Sequence, residues 1–505
     1  MFSLRDMNAC RQSGPCGCLA KSIEARGFKP YCMVRPQPPP SEPNLPNSFA
    51  YLALFAWPAV CVVLFVLLPV ELAAIWSLLG GYLLLPSATS VNVALLPEFD
   101  KFSIPVIATF LLCWMKGTRS PPPARSPWVY GLAIAFVLSP ILTSFTNSYE
   151  LQIGDRSLPG FYPLDGVKGA LNNLVTLAPF FIGMRFISSE KGREQLLRAI
   201  PIAALFYSIP MLFEVRMSPQ LHKMVYGFFP HSFAQQVRDG GFRPVVFLGH
   251  GLEAALFAAI AVIAAAVAAR AKWHLLRIPA GVVTAYLSVI LLFCKTMGAA
   301  VYALVLVPII LFRAPKTWVN VAWGATLLVC AYPLLRTFSL IPVEHIASAA
   351  KTISVDRAGS FEVRVKNEKA LLAKANEKPF LGWGSWGRNR VHDENGADIT
   401  ITDGKWIIQF GMFGWLGYLS LFGIFAAAVM QARVGVRGPV TRARIVLAGL
   451  TLLLAANLID LLPNSSLLPL TYLMAGSIAG CIRASVGRRS VRRRVNNSQA
   501  AVVAQ

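Results

Sequence analysis

Apolar runs of membrane length recur along this chain, and no other feature limits its fold as strongly. They fall at about 48–68, 70–88, 103–117, 127–146, 166–187, 197–214, 244–269, 277–294, 297–313, 318–335, 405–430, 443–462 and 465–482. Runs of roughly 17–25 apolar residues suit helices that cross a bilayer core. The runs are continuous instead of alternating, which argues against a β-barrel. Only 14% of the residues are charged, against about 25% in soluble domains. The expectation is therefore an all-α, polytopic membrane protein with 12–13 transmembrane helices. The Leu68-Pro69-Val70-Glu71 link reads as a hairpin between two full spans, which favours thirteen.

The polar segments between these runs divide the chain. Residues 1–47 form a Pro-rich tail whose composition resists helix and strand and reads as disordered. No cleavable signal peptide is expected, because the first apolar run begins behind this tail. Residues 48–335 form a transmembrane bundle with loops near 147–165 and 215–243. A large loop spans 336–404 and should contain short helices. The C-terminal helices occupy 405–482, and an Arg-rich tail occupies 483–505.

Lys and Arg in short loops mark the cytoplasmic side of a membrane. Arg483, Arg488, Arg489, Arg492, Arg493 and Arg494 stand in the C-terminal tail with no acid among them. Counting back, the same side receives Arg433/Arg437/Arg442/Arg444, Arg313/Lys316, Arg270/Lys272/Arg277, Arg185/Lys191/Arg193/Arg198 and Lys116/Arg119/Arg125. The other side receives 147–165, 215–243 and 336–404; acids outnumber bases in the first and nearly balance them in the last. The net charge of +23 is thus mainly a topology signal, and no nucleic-acid partner is expected. The N-terminal tail fits less well: thirteen spans put it outside, yet it carries six bases against three acids.

Cys61, Cys113, Cys294, Cys330 and Cys481 lie in apolar runs, and Cys10, Cys16, Cys18 and Cys32 in the N-terminal tail. The tail has neither paired C-x₂₋₄-C spacing nor a His, so no zinc site and no disulfide framework is expected. The chain has no phosphate-binding Gly-rich loop, no dinucleotide fingerprint and no H-E-x-x-H. An ATP-driven pump, a nucleotide-sugar transferase and a metal or other cofactor are all poorly supported. No internal repeat is visible, which counts modestly against many transporters.

Chemistry concentrates in two polar segments. In the loop 360–404, Ser360 suits an N-cap, Glu362 a first turn and Pro379 a helix end. Arg364 shares a face with Phe361, Glu368 and Leu371, and an Arg364–Glu368 surface pair is the plain alternative to a functional arginine. Gly382-Trp383-Gly384-Ser385-Trp386-Gly387-Arg388-Asn389-Arg390 can bend sharply and present two indoles and two guanidinium forks. Trp383 and Trp386 could stack on sugar rings or anchor the loop at the interface. Arg388 and Arg390 could bind phosphate oxygens. His392 is a candidate base, although it stands among charges. Asp403 and Lys405 stand where the chain re-enters lipid, where a carboxylate needs a partner or a task; the plain alternative for Asp403 is to cap the next helix. In the second segment Arg243 stands at the mouth of a span, with His250 and Glu253 two to three turns inside it. Ionisable groups at that depth are functional candidates, and a His–Glu packing pair is the alternative. Lys295 and Arg336 could extend a basic pocket or snorkel.

This pattern resembles the superfamily of O-antigen ligases and O-antigen or exopolysaccharide polymerases of bacterial inner membranes. The resemblance rests on Phe361-Glu-Val-Arg364, Lys378-Pro379-Phe380-Leu381-Gly382-Trp383-Gly384 and Gly411-Met-Phe-Gly414-Trp-Leu-Gly417. It covers about 240–430 in motif and the whole chain in topology. It implies a metal-independent glycosyltransferase that takes its glycan from an undecaprenyl-diphosphate-linked oligosaccharide at the periplasmic face and passes it to a glycan acceptor. Matching the family pattern, Arg364 and Arg243 would hold the diphosphate. Many members carry a His-Asn pair before the re-entering helix, whereas this chain has Thr402-Asp403-Gly404-Lys405-Trp406. Either Asp403 is the base, or the base is His392 or His250. That departure favours a polymerase over a ligase. A lipid-linked oligosaccharide flippase and a scaffold docked on other polysaccharide assembly and export proteins are the alternatives of other classes. The expected location is the inner membrane, with the C-terminus cytoplasmic and 336–404 periplasmic.

Overall fold

In the computed structural model, residues 45–93, 96–117, 127–154, 156–238, 240–341 and 355–481 are described. The N-terminal tail 1–44, the first part of the large loop and the Arg-rich C-terminal tail lie outside them. The chain divides into two units, residues 1–45 and 46–505, and every element named below belongs to the second.

Fifteen α-helices appear among the described residues. Thirteen of them fall one by one on the apolar runs: α1 (Ser48–Leu67), α2 (Val70–Leu84), α3 (Ser103–Lys116), α4 (Pro127–Phe145), α5 (Pro163–Ile182), α6 (Glu190–Met217), α8 (Gly251–Arg270), α9 (Ala280–Phe293), α10 (Met297–Phe312), α11 (Pro315–Thr337), α13 (Lys405–Gly435), α14 (Arg442–Asp460) and α15 (Pro469–Ala479). The other two, α7 (Leu221–Tyr226) and α12 (Val355–Asn376), lie in the polar segments. Eight helices are long and apolar enough to cross a membrane, and α2, α3, α9 and α10 are shorter apolar helices. The chain is an all-α, multi-pass membrane protein. The strands among the described residues form four short antiparallel hairpins in loops, two of which matter below: β1–β2 (Leu151–Ile153 with Arg156–Leu158) and β3–β4 (Val237–Arg238 with Gly241–Phe242).

Helix α8 is the axis of the bundle. Its sequence is rich in alanine, and small side chains let neighbouring backbones approach closely where lipid provides no hydrophobic drive. It packs against α6, α9, α10 and α14, and all residues from Ala254 to Ala268 are buried. Helix α1 is the opposite case, with Leu52, Phe55, Val63 and Val66 exposed on the face a bilayer would cover. Four of the five described cysteines are buried, and all five are free thiols.

Three local expectations change. The segment expected as a helix from 244 stays irregular until Gly251, because Glu214 of α6 captures it. The buried Glu214 carboxylate accepts the N–H groups of Val245 and Val246, both at 2.7 Å, and that of Leu221 at 3.0 Å. It thereby fixes Val246 at φ 56°, a left-handed conformation costly for a β-branched residue. His250 is consequently the N-cap of α8, and Glu253 lies in its first turn; neither is two to three turns inside a span. The described part of the large loop holds one 22-residue helix, α12, instead of short ones. This helix begins at Val355, so Ser360 lies within it and does not cap it.

The third change concerns α13. Its hydrogen-bond ladder breaks at Gly414 (φ 58°, ψ −159°). The loop strand Pro379–Gly384 runs into the gap: Trp415 and Leu416 donate to Pro379 and Phe380 carbonyls at 2.7 and 3.1 Å, while Trp383 and Gly384 donate to Gly411 and Met412 carbonyls, both at 2.9 Å. Buried backbone groups need partners, and here the loop supplies those the helix loses. Gly382 and Gly414 make the approach possible, since a Cβ on either would fall onto the other segment's backbone. The Lys-Pro-Phe-Leu-Gly-Trp-Gly stretch is therefore stitched to the bundle rather than free in solution.

Candidate functional site

A cavity of about 630 Å³ opens where the loops after α6, α12 and α14 meet the N-terminus of α8. Its lining brings together five of the residues singled out from the sequence: Arg243, His250, Glu253, Arg364 and Asp403. Arg238, His231 and Gln235 from the loop before α8, and Asn464, Ser465 and Ser466 from the turn before α15, complete the polar wall. Three guanidinium groups face two carboxylates, so the wall carries a net positive charge. The volume is that of a site for a ligand of drug or cofactor size.

Arg243 is almost fully buried. Its backbone N–H donates to the Gln236 carbonyl at 2.9 Å, next to hairpin β3–β4, and its Nη2 donates to Thr296 Oγ1 at 2.7 Å. Gly251 adjoins the Arg243 side chain closely enough that a Cβ there would press on it. The guanidinium is thus fixed in place by the Glu214 clamp, the β3–β4 turn and the start of α10.

Arg364 reaches the cavity from α12. Its Nε lies 3.3 Å from Asp403 Oδ2, and both side chains are about one-third exposed. Nη1 also approaches the Pro463 carbonyl at 3.4 Å. The helical pair with Glu368 does not form, because Glu368 bonds Arg336 and the Tyr332 hydroxyl. Burial pushes the Glu368 carboxyl up, and Arg336 opposes that shift. Arg336 is therefore occupied in docking α12 on α11. Asp403 does not cap α13 either: Gly404 holds that position without a side-chain bond. Its carboxylate stays partly exposed at the cavity lip.

The imidazole of His250 is engaged at both nitrogens. Nδ1 accepts the Leu252 N–H at 3.0 Å, which is the helix cap. The proton then resides on Nε2, 3.2 Å from Gln235 Oε1. Burial, with His231, Arg243 and Arg364 nearby, pushes its pKa down to about 4. A neutral imidazole with no free lone pair fits a cap better than a base. Glu253 accepts the Gly249 N–H at 3.0 Å through Oε2, while its buried Oε1 has no hydrogen-bond partner. Lys101, nearly fully buried, bonds Ser87 Oγ at 2.9 Å and the Phe247 carbonyl at 3.0 Å beneath the same wall. Burial pushes its ammonium down to about 8, and Glu253 opposes that shift.

The other sequence candidates stand elsewhere. Arg388 is wholly buried and donates to the carbonyls of Trp383, Tyr149 and Pro159 at 2.9–3.2 Å. These bonds pin the Gly/Trp turn to the loop carrying β1–β2, and they leave Arg388 out of reach of a phosphate. Arg390 pairs with Asp398 at 2.6 Å, and His392 bridges Asp398 in the same small turn. Trp383 is buried, donates to the Lys374 carbonyl at 2.8 Å, and lies under the ammonium groups of Lys374 and Lys378. Trp386 is exposed, at φ 65°. None of these lines the arginine cavity. Lys405 lines a neighbouring cavity instead. Lys295 donates to the Arg238 carbonyl at 3.0 Å and so braces the β3–β4 turn.

Sequence reasoning missed Glu214, Gln235, Arg238, Lys101 and the turn Asn464–Ser466. The turn carried a signal, a polar triplet after Pro463 between two apolar runs. Glu214 carried one too, as a lone acid near the end of an apolar helix. Comparison with protein-family models and with curated proteins finds no match.

Proposed function

We propose that this chain is a glycosyltransferase that takes its glycan from a polyprenyl-diphosphate carrier, and that it joins repeat units of an exopolysaccharide or O-antigen type at the outer face of a bacterial inner membrane. The observation that supports this reading best is the convergence of Arg243 and Arg364, from loops far apart in the chain, on one cavity that also holds Asp403. Fixed guanidinium groups suit a diphosphate leaving group, whose oxygens they meet bidentately. A carboxylate at the rim suits the acceptor hydroxyl.

In that reaction the acceptor hydroxyl oxygen attacks the anomeric carbon of the carried glycan. The carbon–oxygen bond to the diphosphate breaks, and its electron pair leaves with the diphosphate, held by Arg243 and Arg364. The hydroxyl proton passes to Asp403, whose pairing with Arg364 orients it. Preorganised cations at the place where negative charge develops contribute to the rate. The basic short loops support the orientation argued from sequence, with 336–404 on the outer side. The candidate groups Arg243, Arg364, Glu253 and Asp403 gather around one cavity, which favours transfer over flipping.

Deletion of the gene followed by glycan analysis tests the reading. Lipid-linked single repeat units should accumulate on the outer leaflet. Finished polymer stranded on its carrier would instead indicate a ligase, and units held on the inner leaflet a flippase.

A further inference from the structure

Beside the arginine cavity lies a second one, of about 400 Å³, which the proposed chemistry has not yet used. The two share Phe102, Ser465 and Leu467 in their walls, so they are adjoining chambers separated by those side chains. Their chemistry differs. The second chamber has a single cation, Lys405, facing Glu98 and Asp100, and such a balance does not attract a diphosphate.

Three of its polar groups are amides with one end committed. Asn172 Oδ1 accepts the Glu98 N–H at 3.3 Å, Asn173 Nδ2 donates to the Phe136 carbonyl at 2.9 Å, and Gln409 Nε2 donates to the Gly417 carbonyl at 3.2 Å. Each amide is held in one orientation by protein, and its other half remains for a ligand. Phe102 and Phe413 add ring faces to the wall. Fixed donors and acceptors beside aromatic faces are what a polyhydroxylated ring requires, with its hydroxyls at the rim and its C–H face apolar.

We infer that the chamber around Lys405 and Gln409 is the acceptor subsite, which takes an uncharged sugar ring and presents its hydroxyl across the Phe102–Ser465 partition to the glycan held in the arginine chamber. This rests on the transferase reading above. The shared wall places the reacting carbon between a site for the leaving group and a site for the nucleophile. Lys405, at the first residue of α13, directs the acceptor by donating a hydrogen bond to a ring hydroxyl, and it transfers no proton in the reaction.

The test uses the full chain in lipid nanodiscs with undecaprenyl diphosphate as the probe, alongside glycan analysis of cells that carry the same variants. Lys405→Met removes the cation, and Thr176→Phe fills the chamber from an exposed position on its wall. Both should bind the probe within about twofold of wild type, while polymer falls by about tenfold or more, the loss expected for one charged hydrogen bond. Lys405→Arg should recover most of the polymer, which a folding defect at this position would not allow. Probe affinity falling in step with polymer would merge the chambers into one donor site and overturn the inference. Undiminished polymer in both variants would overturn it as well. A wild-type chain that does not bind the probe overturns the transferase reading, and this inference with it; probe binding lost in Arg243→Ala alone keeps the two apart.

Discussion

The Arg364 guanidinium stands 3.3 Å from the Asp403 carboxylate and joins helix α12 to the start of α13 at the lip of the arginine cavity. The pair is partly solvated, so it adds little to stability, and its substitution should leave protein level and membrane insertion unchanged. Arg364→Ala should weaken undecaprenyl diphosphate binding by roughly 10- to 100-fold, the worth of a charge-assisted hydrogen bond. Asp403→Asn should bind the probe at least as well as wild type, because Arg364 loses its competitor, and should form no polymer. Titration of the probe into nanodiscs, with a glycan gel beside it, reads both effects; full polymer in Asp403→Asn would remove it as the base.

His250 makes stability depend on pH in a defined direction. Its folded pKa of about 4 lies below the usual value near 6.5. Between those values the unfolded chain binds a proton that the folded chain refuses, so stability falls as pH drops from about 6.5 towards 4 and levels off below. His222 is buried, accepts the Ser87 N–H, and is likewise pushed down to about 4, so it contributes in the same window. His250→Asn keeps a capping side chain and should remove about half of the slope. Thermal unfolding in detergent at a series of pH values measures it, and an unchanged slope would show that burial does not hold the imidazole neutral.

Arg388 should behave unlike Arg364 although both were read as anion binders. Its guanidinium holds three carbonyls in a wholly buried position, and truncation leaves those acceptors without partners, at about 1–3 kcal/mol. Arg388→Ala should lower the unfolding temperature and expose the loop 147–165 to protease. Whatever folded protein remains should bind undecaprenyl diphosphate as wild type does. A selective loss of probe binding at unchanged stability would return Arg388 to the site.

What the sequence revealed and concealed follows from the range of the forces involved. The apolar runs were legible because a bilayer imposes one length on every crossing helix, and each of the runs carries a helix. Arg243, Arg364 and Asp403 were legible because charge at the edge of lipid is costly without a purpose. The role of Arg388 was concealed, since a guanidinium looks the same in sequence whether it meets a phosphate or three carbonyls. The depth of His250 was misjudged because Glu214, from another helix, draws residues 245 and 246 out of the helical register. Such capture depends on a tertiary contact, and periodicity carries no trace of it. The second chamber was invisible for the same reason, since its amides come from α5 and α13 and meet only in the fold.

The crossing of Gly382 and Gly414 is a close backbone-to-backbone contact. Both glycines hold positive φ, at 70° and 58°, where an L side chain costs about 1–2 kcal/mol in backbone strain alone. A Cβ on Gly414 would also meet backbone atoms of Pro379 and Phe380, and one on Gly382 those of Met412 and Phe413. Backbone cannot step aside as a side-chain tip can, so Gly414→Ala and Gly382→Ala should each part the loop strand from the broken helix. The four interstrand hydrogen bonds would then be lost together, and Arg364 and Asp403 would lose their common frame, because Asp403 leads into α13 and Arg364 stands on α12, which the loop strand follows. Both variants should therefore show lower unfolding temperature and weaker probe binding at once, whereas Gly281→Ala, a glycine with open space around its Cβ position, should change neither. Thermal unfolding and probe titration on the same preparations decide this, and wild-type stability in Gly414→Ala would mean that the helix break needs no glycine.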